Sequence, residues 1–127
     1  AWGYDNRTTA LRIPEGPLAA IRIEHRVAGA DANPYLAIAA VLMGILYGLE
    51  NDLEAPPAIE GNAYDQEPEE PVLTTLMGQA IKRFKKSTII ADYMSADFQR
   101  MYTLAKQQEL DEFNHRVTEL ELETYLR

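Results

Sequence analysis

Charged side chains alternate along a short stretch near the start of the sequence. Arg22, Glu24 and Arg26 are each separated by one residue. Alternate residues of a β-strand lie on one face, so a strand here would place one carboxylate between two guanidinium groups. Guanidinium groups match carboxylate and phosphate oxygens, and an ionised carboxylate suits Mg²⁺ or Mn²⁺. The pattern is consistent with an anion and metal site or with an exposed salt-bridge ladder, and residue types alone favour the ladder.

Two further arginines precede this stretch, Arg7 and Arg12. Four converging guanidinium groups would repel one another without an anionic partner, and Glu24 could neutralise part of their charge. Arginines together with a metal-binding carboxylate are the groups that phosphoryl transfer uses, because charge neutralisation and positioning carry most of that catalysis. The two segments together therefore strengthen the prediction of an anion site.

Two short strands are predicted to position these side chains. Residues 9–14 and residues 21–27 both show apolar residues alternating with charged ones. Pro14, Gly16 and Pro17 between them indicate a turn. If the strands pair as a β-hairpin, Arg12 could share a face with Arg22 and Arg26, although the sequence leaves the pairing register open.

The remainder of the chain has mainly helical patterns. Asn33 fits a helix N-cap with Pro34 at the first helical position, and the helix should run to about residue 48–51. It is apolar nearly all round, which predicts burial on most sides. Proline-rich and acidic residues 52–72 predict an extended loop laid over a surface. Further helices are predicted over residues 74–86, over 87–94 and from Ser95 onward. The fold class is therefore α+β, a short β-hairpin leading into a mainly helical body.

Composition narrows the function classes. The 127 residues carry a net charge of −8, yet residues 1–26 have four Arg against three Asp and Glu. An acidic protein is a poor generic binder of nucleic acid. No apolar run approaches the ~20 residues of a membrane span, and the lack of cysteine fits a reducing compartment, which we take as the cytoplasm. The length predicts one domain. The sequence starts at Ala1 without a methionine, and its first residues resemble the interior of a protein sequence. We therefore expect a fragment of a longer chain.

In combination, three motifs resemble one known family. The segments "NRTTALRIP", "RIEHRVAGADANPYLAIAAVL" and "GNAY" occur in this order. They are similar to the C-terminal part of the catalytic domain of glutamine synthetases, and the resemblance covers essentially the whole chain, residues 1–127. "RIEHR", "GADANPYL" and "WGYDNRT" resemble the γ-glutamylpolyamine synthetase branch more than the ammonia-using enzymes.

The resemblance implies an ATP-dependent ligase that joins glutamate to ammonia or a small amine through γ-glutamyl phosphate. By motif position, Arg7 would contact the transferring phosphoryl group and glutamate, Arg12 the ATP phosphates and Arg22 the nucleotide. Glu24 would bind Mg²⁺ or Mn²⁺, and Arg26 would bind glutamate and the negative charge developing at its γ-end. The family also implies a homo-oligomeric ring. The chain by itself could serve only as a structural or oligomerisation module, which is the alternative to an enzymatic role.

Three features limit what can be carried over. Ala19 stands where the family often has a lysine, so an ATP contact there is in doubt. The other metal ligands of the family lie upstream of the matched segments, so we expect the chain alone to be inactive. Tyr64 stands where some bacterial glutamine synthetases carry an adenylylated tyrosine, but related enzymes without that regulation also have a tyrosine there. We therefore expect Tyr64 to anchor its loop.

Overall fold

The computed structural model describes residues 1–67 and 73–126, which fall into two compact units. The first unit spans residues 1–71 and the second spans residues 72–127. Each unit has its own secondary structure. The first contains a small sheet and a long helix, and the second is helical throughout its regular elements. The predicted combination of short strands and a mainly helical body is confirmed.

Three strands form the sheet of the first unit, in the order β1-β2-β3. They are β1 (Trp2–Tyr4), β2 (Leu11–Ile13) and β3 (Glu24–His25). Strands β2 and β3 are antiparallel, as the predicted hairpin requires, and their register places Arg12 opposite Glu24. Strand β3 is much shorter than the strand predicted over residues 21–27, because only two residues of that stretch pair with β2.

Strand β1 was not predicted. It pairs in parallel with β2, with Trp2 opposite Leu11. Parallel neighbours usually need a crossover of a dozen or more residues, whereas only residues 5–10 connect these two strands. A strand of three residues also shows too little alternation to be recognised. The pairing of β1 with β2 therefore depends on the folded turn at residues 5–10.

Helix α1 (Pro34–Glu50) begins as predicted. The Oδ1 atom of Asn33 accepts hydrogen bonds from the backbone N–H groups of Tyr35 and Leu36, and Pro34 occupies the first helical position. The prediction that this helix is buried is wrong for the chain as described, since none of its residues is buried. Its exposed apolar side chains include Tyr35, Ile38, Leu42, Ile45, Leu46 and Leu49. The apolar composition of α1 indicates which of its surfaces can be buried, but actual burial requires neighbouring helices or strands that pack against it.

The second unit contains α2 (Met77–Lys86), α3 (Thr88–Met94), α4 (Ala96–Asn114) and α5 (Glu119–Tyr125). The first two agree with the predicted helices apart from a later start of α2. Phe84 of α2 packs against Tyr102 of α4, with ring centroids 5.2 Å apart. The side-chain amide of Gln99 donates to the carbonyl oxygens of Phe84 and Ser87, at 2.7 Å each. These contacts join α4 to α2 and to Ser87, the N-cap residue of α3.

The single long final helix that we predicted is instead two helices. Helix α4 ends at Asn114, and α5 starts after Thr118. The Thr118 hydroxyl accepts from the N–H of Glu121, and the Glu121 carboxylate accepts from the N–H of Thr118 at 2.7 Å. This reciprocal pair is a capping box, which begins a new helix. The local cap outweighs the continuous apolar pattern.

No helix in the described part of the chain combines the length and the apolar character that crossing a membrane requires.

Candidate active site

Strands β2 and β3 bring Arg12, Arg22 and Glu24 together. Arg12 donates from Nη1 to Oε2 of Glu24, and Arg22 donates from Nη2 to Oε1, both at 2.8 Å. Each carboxylate oxygen of Glu24 therefore accepts from a different guanidinium group. This arrangement follows from the register, because Arg12 lies directly opposite Glu24 across the ladder while Arg22 lies two residues before it.

Asp5 completes the cluster and was not among the predicted site residues. Its carboxylate accepts from Nη2 of Arg12, so Arg12 lies between two carboxylates. The backbone of Asp5 is in the left-handed region, with φ of 46°, and its N–H donates to the carbonyl oxygen of Ile13 at 2.9 Å. The sequence pattern did not indicate Asp5 as a site residue, because its contact with Arg12 depends on the backbone of this turn.

The cluster forms a chain of alternating charges, Asp5–Arg12–Glu24–Arg22. The Arg12 side chain is 14% exposed and the Arg22 side chain is 57% exposed. Hydrogen bonds from Arg12 and Arg22 lower the pKa of Glu24, with Arg12 the larger cause, and burial only partly opposes them. The hydrogen bond to Glu24 likewise raises the pKa of Arg12. Both groups are therefore held in their charged forms.

Arg7 and Arg26 form a second pair beside this cluster. Arg26 donates from Nη2 to the main-chain carbonyl oxygen of Arg7 at 2.9 Å. Arg7 itself lines an open cavity of about 690 Å³ together with Tyr4, Asp5 and Glu60. Asp5 belongs to both the charge cluster and this cavity. The predicted arginines thus lie in two linked groups rather than along one ladder.

Within the loop predicted over residues 52–72, residues 56–63 are hydrogen-bonded to β1 and to the turn that follows it, and residues 68–72 are outside the described part. The N–H of Ile59 donates to the carbonyl oxygen of Trp2 at 2.8 Å, and the indole Nε1 of Trp2 donates to the carbonyl oxygen of Pro56 at 2.6 Å. Tyr64 is 80% exposed. The side-chain hydrogen bonds described between this loop and residues 1–8 use Trp2 and Asn6 as donors and Thr8 as the acceptor from the N–H of Ala63, and the Tyr64 ring expected to anchor the loop is not among them.

The donor chemistry fits one carboxylate ligand for a hard cation. Each oxygen of Glu24 accepts one hydrogen bond and has a further lone pair, and the lowered pKa keeps the carboxylate ionised. Within residues 1–67 and 73–126, no three His, Cys, Asp or Glu side chains group closely enough to hold a metal ion. Glu24 could thus contribute to a metal site whose other ligands come from elsewhere.

Two guanidinium groups beside Glu24, those of Arg12 and Arg22, retain N–H donors for phosphate oxygens. The terminal nitrogens of Arg12 and Arg22 each carry a second N–H besides the one used in the ion pair. Ala19 lies in a short 3₁₀ turn, Leu18–Ala20, and its methyl side chain has no donor. The side chain of Arg22 reaches this turn instead, donating to the carbonyl oxygen of Ala20 at 3.2 Å. N–H donors that an anionic ligand could use therefore remain on Arg12 and Arg22, and none is needed from position 19.

Comparison with known proteins gives matches over nearly the whole chain. The family model described as "Glutamine synthetase, catalytic domain" matches residues 1–125. The chain is 41% identical over 127 residues to gamma-glutamylputrescine synthetase PuuA of Escherichia coli K12, a match that covers 100% of this chain and 26% of that protein. It is 39% identical over 128 residues to the glutamate–isopropylamine ligase of a Pseudomonas species, covering 99% of this chain and 28% of that protein.

A third relative is named as a glutamine synthetase and not for an organic amine. Type-1 glutamine synthetase 2 of Dictyostelium discoideum is 41% identical over 128 residues, with 98% of this chain and 24% of that protein covered. Its identity equals that of the putrescine-named relative. The chain spans about a quarter of the length of these relatives. Identity over this part of the molecule therefore does not separate the amine classes.

Proposed function

Because the chain belongs to the glutamine synthetase catalytic-domain family, we propose that it is the C-terminal part of an ATP-dependent glutamate–amine ligase. The observation that carries the proposal is that Arg12 and Arg22 share the carboxylate of Glu24. Each donates a hydrogen bond of 2.8 Å to a different oxygen of that carboxylate. The overall reaction has two steps. A γ-carboxylate oxygen of glutamate attacks the terminal phosphorus of ATP and ADP leaves. The amine nitrogen then attacks the γ-carbonyl carbon, phosphate leaves, and the nitrogen releases a proton to give the amide.

The arginines supply the positive charge that this reaction needs. Arg12 and Arg22 bind the phosphates and the nucleotide, and their fixed ion pairs with Glu24 hold them in place before substrate arrives. Glu24 would bind Mg²⁺ or Mn²⁺, which neutralises phosphate charge when bound. Prearranged donors of this kind avoid the cost of reorganisation during the reaction.

The pair formed by Arg7 and Arg26 acts at the glutamate substrate. Arg7 contacts the transferring phosphoryl group and glutamate, and Arg26 binds glutamate and stabilises the negative charge at its γ-end. The hydrogen bond from Arg26 to the carbonyl oxygen of Arg7 supports this assignment, because it places both residues beside one another. The donors left on Arg26 remain available to a carboxylate.

The amine and the assembly are further parts of the proposal. We place ammonia and small amines such as putrescine as alternative nucleophiles, since a relative named for putrescine and one named as a glutamine synthetase are equally identical to this chain. The parent protein is a cytoplasmic homo-oligomeric ring, and its ligands are these small molecules rather than nucleic acid or membrane. The chain alone is inactive, because Glu24 is one ligand of a site that needs several.

An amine panel on the full-length parent tests the proposal. ADP release is measured with ATP, Mg²⁺ and glutamate, adding ammonia, ethanolamine, isopropylamine or putrescine in turn, and the product is identified by mass. We expect ADP release that requires both glutamate and one amine class, with formation of the matching γ-glutamyl amide. ADP release that is indifferent to glutamate, or no release with any amine, would overturn the proposal.

A further inference from the structure

Asn6 uses all of its side-chain hydrogen-bonding capacity. Its Nδ2 donates to the carbonyl oxygens of Ile59 and Gly61, at 3.1 and 2.8 Å. Its Oδ1 accepts from the backbone N–H and the hydroxyl of Thr8, at 3.0 and 2.6 Å. A flipped amide would turn its oxygen toward two carbonyl oxygens, so the network determines the orientation. One side chain thus joins the turn at residues 6–8 to a loop more than fifty residues away.

Thr8 continues the same connection. Its hydroxyl donates to Oδ1 of Asn6 and accepts from the backbone N–H of Ala63 at 2.8 Å. Residues 56–63, which we call the loop segment, are therefore bound to the turn at three points, Ile59, Gly61 and Ala63. Trp2 of β1 binds the same segment at Pro56 and Ile59. The loop segment is held along its length.

Arg7 lies between these two anchored residues. Asn6 and Thr8 are fixed by the loop segment, and the carbonyl oxygen of Arg7 accepts from Arg26. Three consecutive residues of backbone are therefore held from two sides, while the Arg7 side chain is exposed and lines the cavity beside Glu60 and Gly61. Restraint of the backbone limits where the guanidinium group can reach.

We propose that Asn6 is a positioning residue that holds Arg7 in its working place by tying the turn at residues 6–8 to the loop segment. The inference rests on the proposed function, because the working place of Arg7 is defined by the transferring phosphoryl group. Misplacement of a reacting group by about 1 Å can cost about a hundredfold in rate. The loop segment therefore contributes to catalysis through the placement of Arg7.

The test uses isosteric variants of the full-length parent. Asn6→Asp removes both donors to the loop segment and keeps the acceptor toward Thr8. Thr8→Val removes the hydroxyl, and Thr8→Ser keeps it. Asn51→Asp is the matched control, since Nδ2 of Asn51 donates to the carbonyl oxygen of Tyr47 at 2.8 Å in an exposed helix C-cap. Hydrogen exchange over residues 56–63, kcat, KM and the thermal midpoint are measured for each.

We expect faster exchange over residues 56–63 and a fall in kcat of about tenfold to a hundredfold in Asn6→Asp and Thr8→Val. Thr8→Ser should restore both quantities, and the thermal midpoint should stay near that of Asn51→Asp. Unchanged exchange, or faster exchange with the kcat of the control, would overturn the inference. Should Asn6→Asp fail to fold, Thr8→Val against Thr8→Ser decides the question.

The two proposals fail in different ways. A wild-type parent that releases no ADP with glutamate and any amine overturns the proposed function, and with it the catalytic role of the connection. The exchange measurement on Asn6→Asp then still decides whether Asn6 holds the loop segment. An active parent whose Asn6→Asp and Thr8→Val variants match the control overturns the positioning role alone.

Discussion

Arg26 donates a hydrogen bond from Nη2 to the main-chain carbonyl oxygen of Arg7, although 19 positions separate the two residues. The contact joins the end of the second charged stretch to the turn that follows β1. Because the bond uses only one of the donors on Arg26, the guanidinium group can hold Arg7 and bind an anion together. This bond holds together the second arginine group of the candidate site, Arg7 with Arg26.

Arg26→Lys should separate charge from geometry. A lysine ammonium keeps the positive charge but lacks the planar fork, so it cannot serve the carbonyl oxygen of Arg7 and a substrate carboxylate in the same way. We expect kcat/KM for glutamate in the full-length parent to fall about a hundredfold, the cost of about 1 Å of misplacement. Arg116→Lys is the control, since Arg116, which follows α4, forms an exposed ion pair with Glu112 at 2.7 Å. Equal kinetics for the two variants would contradict the prediction.

Glu24→Gln should weaken metal-dependent turnover. The amide has nearly the shape of the carboxylate but lacks its charge, so it is a poor ligand for a hard cation. Since a bound metal contributes several kcal/mol of charge stabilisation, we expect ADP release to fall by about a hundredfold or more. The Mg²⁺ concentration for half-maximal activity should also rise. Glu112→Gln serves as the control, and a Glu24→Gln enzyme with an unchanged Mg²⁺ requirement would exclude the ligand role.

The same carboxylate gives an expected pH dependence of stability. The pKa of Glu24 is lowered in the folded chain, chiefly by the hydrogen bond from Arg12. The unfolded chain therefore binds a proton at higher pH than the folded chain does, and stability falls as pH decreases. The contribution is present above the ordinary glutamate pKa of about 4.3 and is lost as pH drops through the lower folded value. The thermal midpoint of the wild type should thus fall more steeply below pH 5 than that of Glu24→Gln, and parallel curves would refute this.

Gly3→Ala should disturb the contact between β1 and the loop segment. A Cβ atom at Gly3 would lie 2.8 Å from the carbonyl oxygen of Ile59 and 3.0 Å from the Cβ of Asn6. Since the first neighbour is backbone, the strand or the loop segment must shift, and overpacking of this kind typically costs about 1–3 kcal/mol. We expect a lower thermal midpoint and faster exchange over residues 56–63. Gly16→Ala, whose nearest added contact is an ordinary 3.6 Å, should leave both unchanged.

Asn33→Ala should destabilise the start of α1. The side chain of Asn33 accepts from the N–H groups of Tyr35 and Leu36, at 3.0 and 3.3 Å. Loss of such a cap costs about 1 kcal/mol. The thermal midpoint should therefore fall in Asn33→Ala and be retained in Asn33→Asp, which keeps the acceptor. Identical midpoints for the two variants would show that the cap contributes nothing there.

Local interactions made several elements predictable. The Asn33–Pro34 pair marks the start of α1 because both the cap and the first-turn proline act within a few residues. Ser87 and Ser95 likewise cap α3 and α4. The break between α4 and α5 was missed because the capping box at Thr118 competes with an apolar pattern that continues past it. Burial of α1 was predicted wrongly, since burial is a property of neighbouring elements.

The sequence by itself determined the residue types at the candidate site, the arginines with Glu24, and the family to which their spacing belongs. Only the tertiary structure decided their partners. It placed Arg12 opposite Glu24, brought Asp5 to Arg12, and joined Asn6 to Gly61. The reason is physical. Caps and periodicity act within one or two helical turns, whereas these contacts close loops of up to 55 residues and depend on strand register and on the backbone of a single turn.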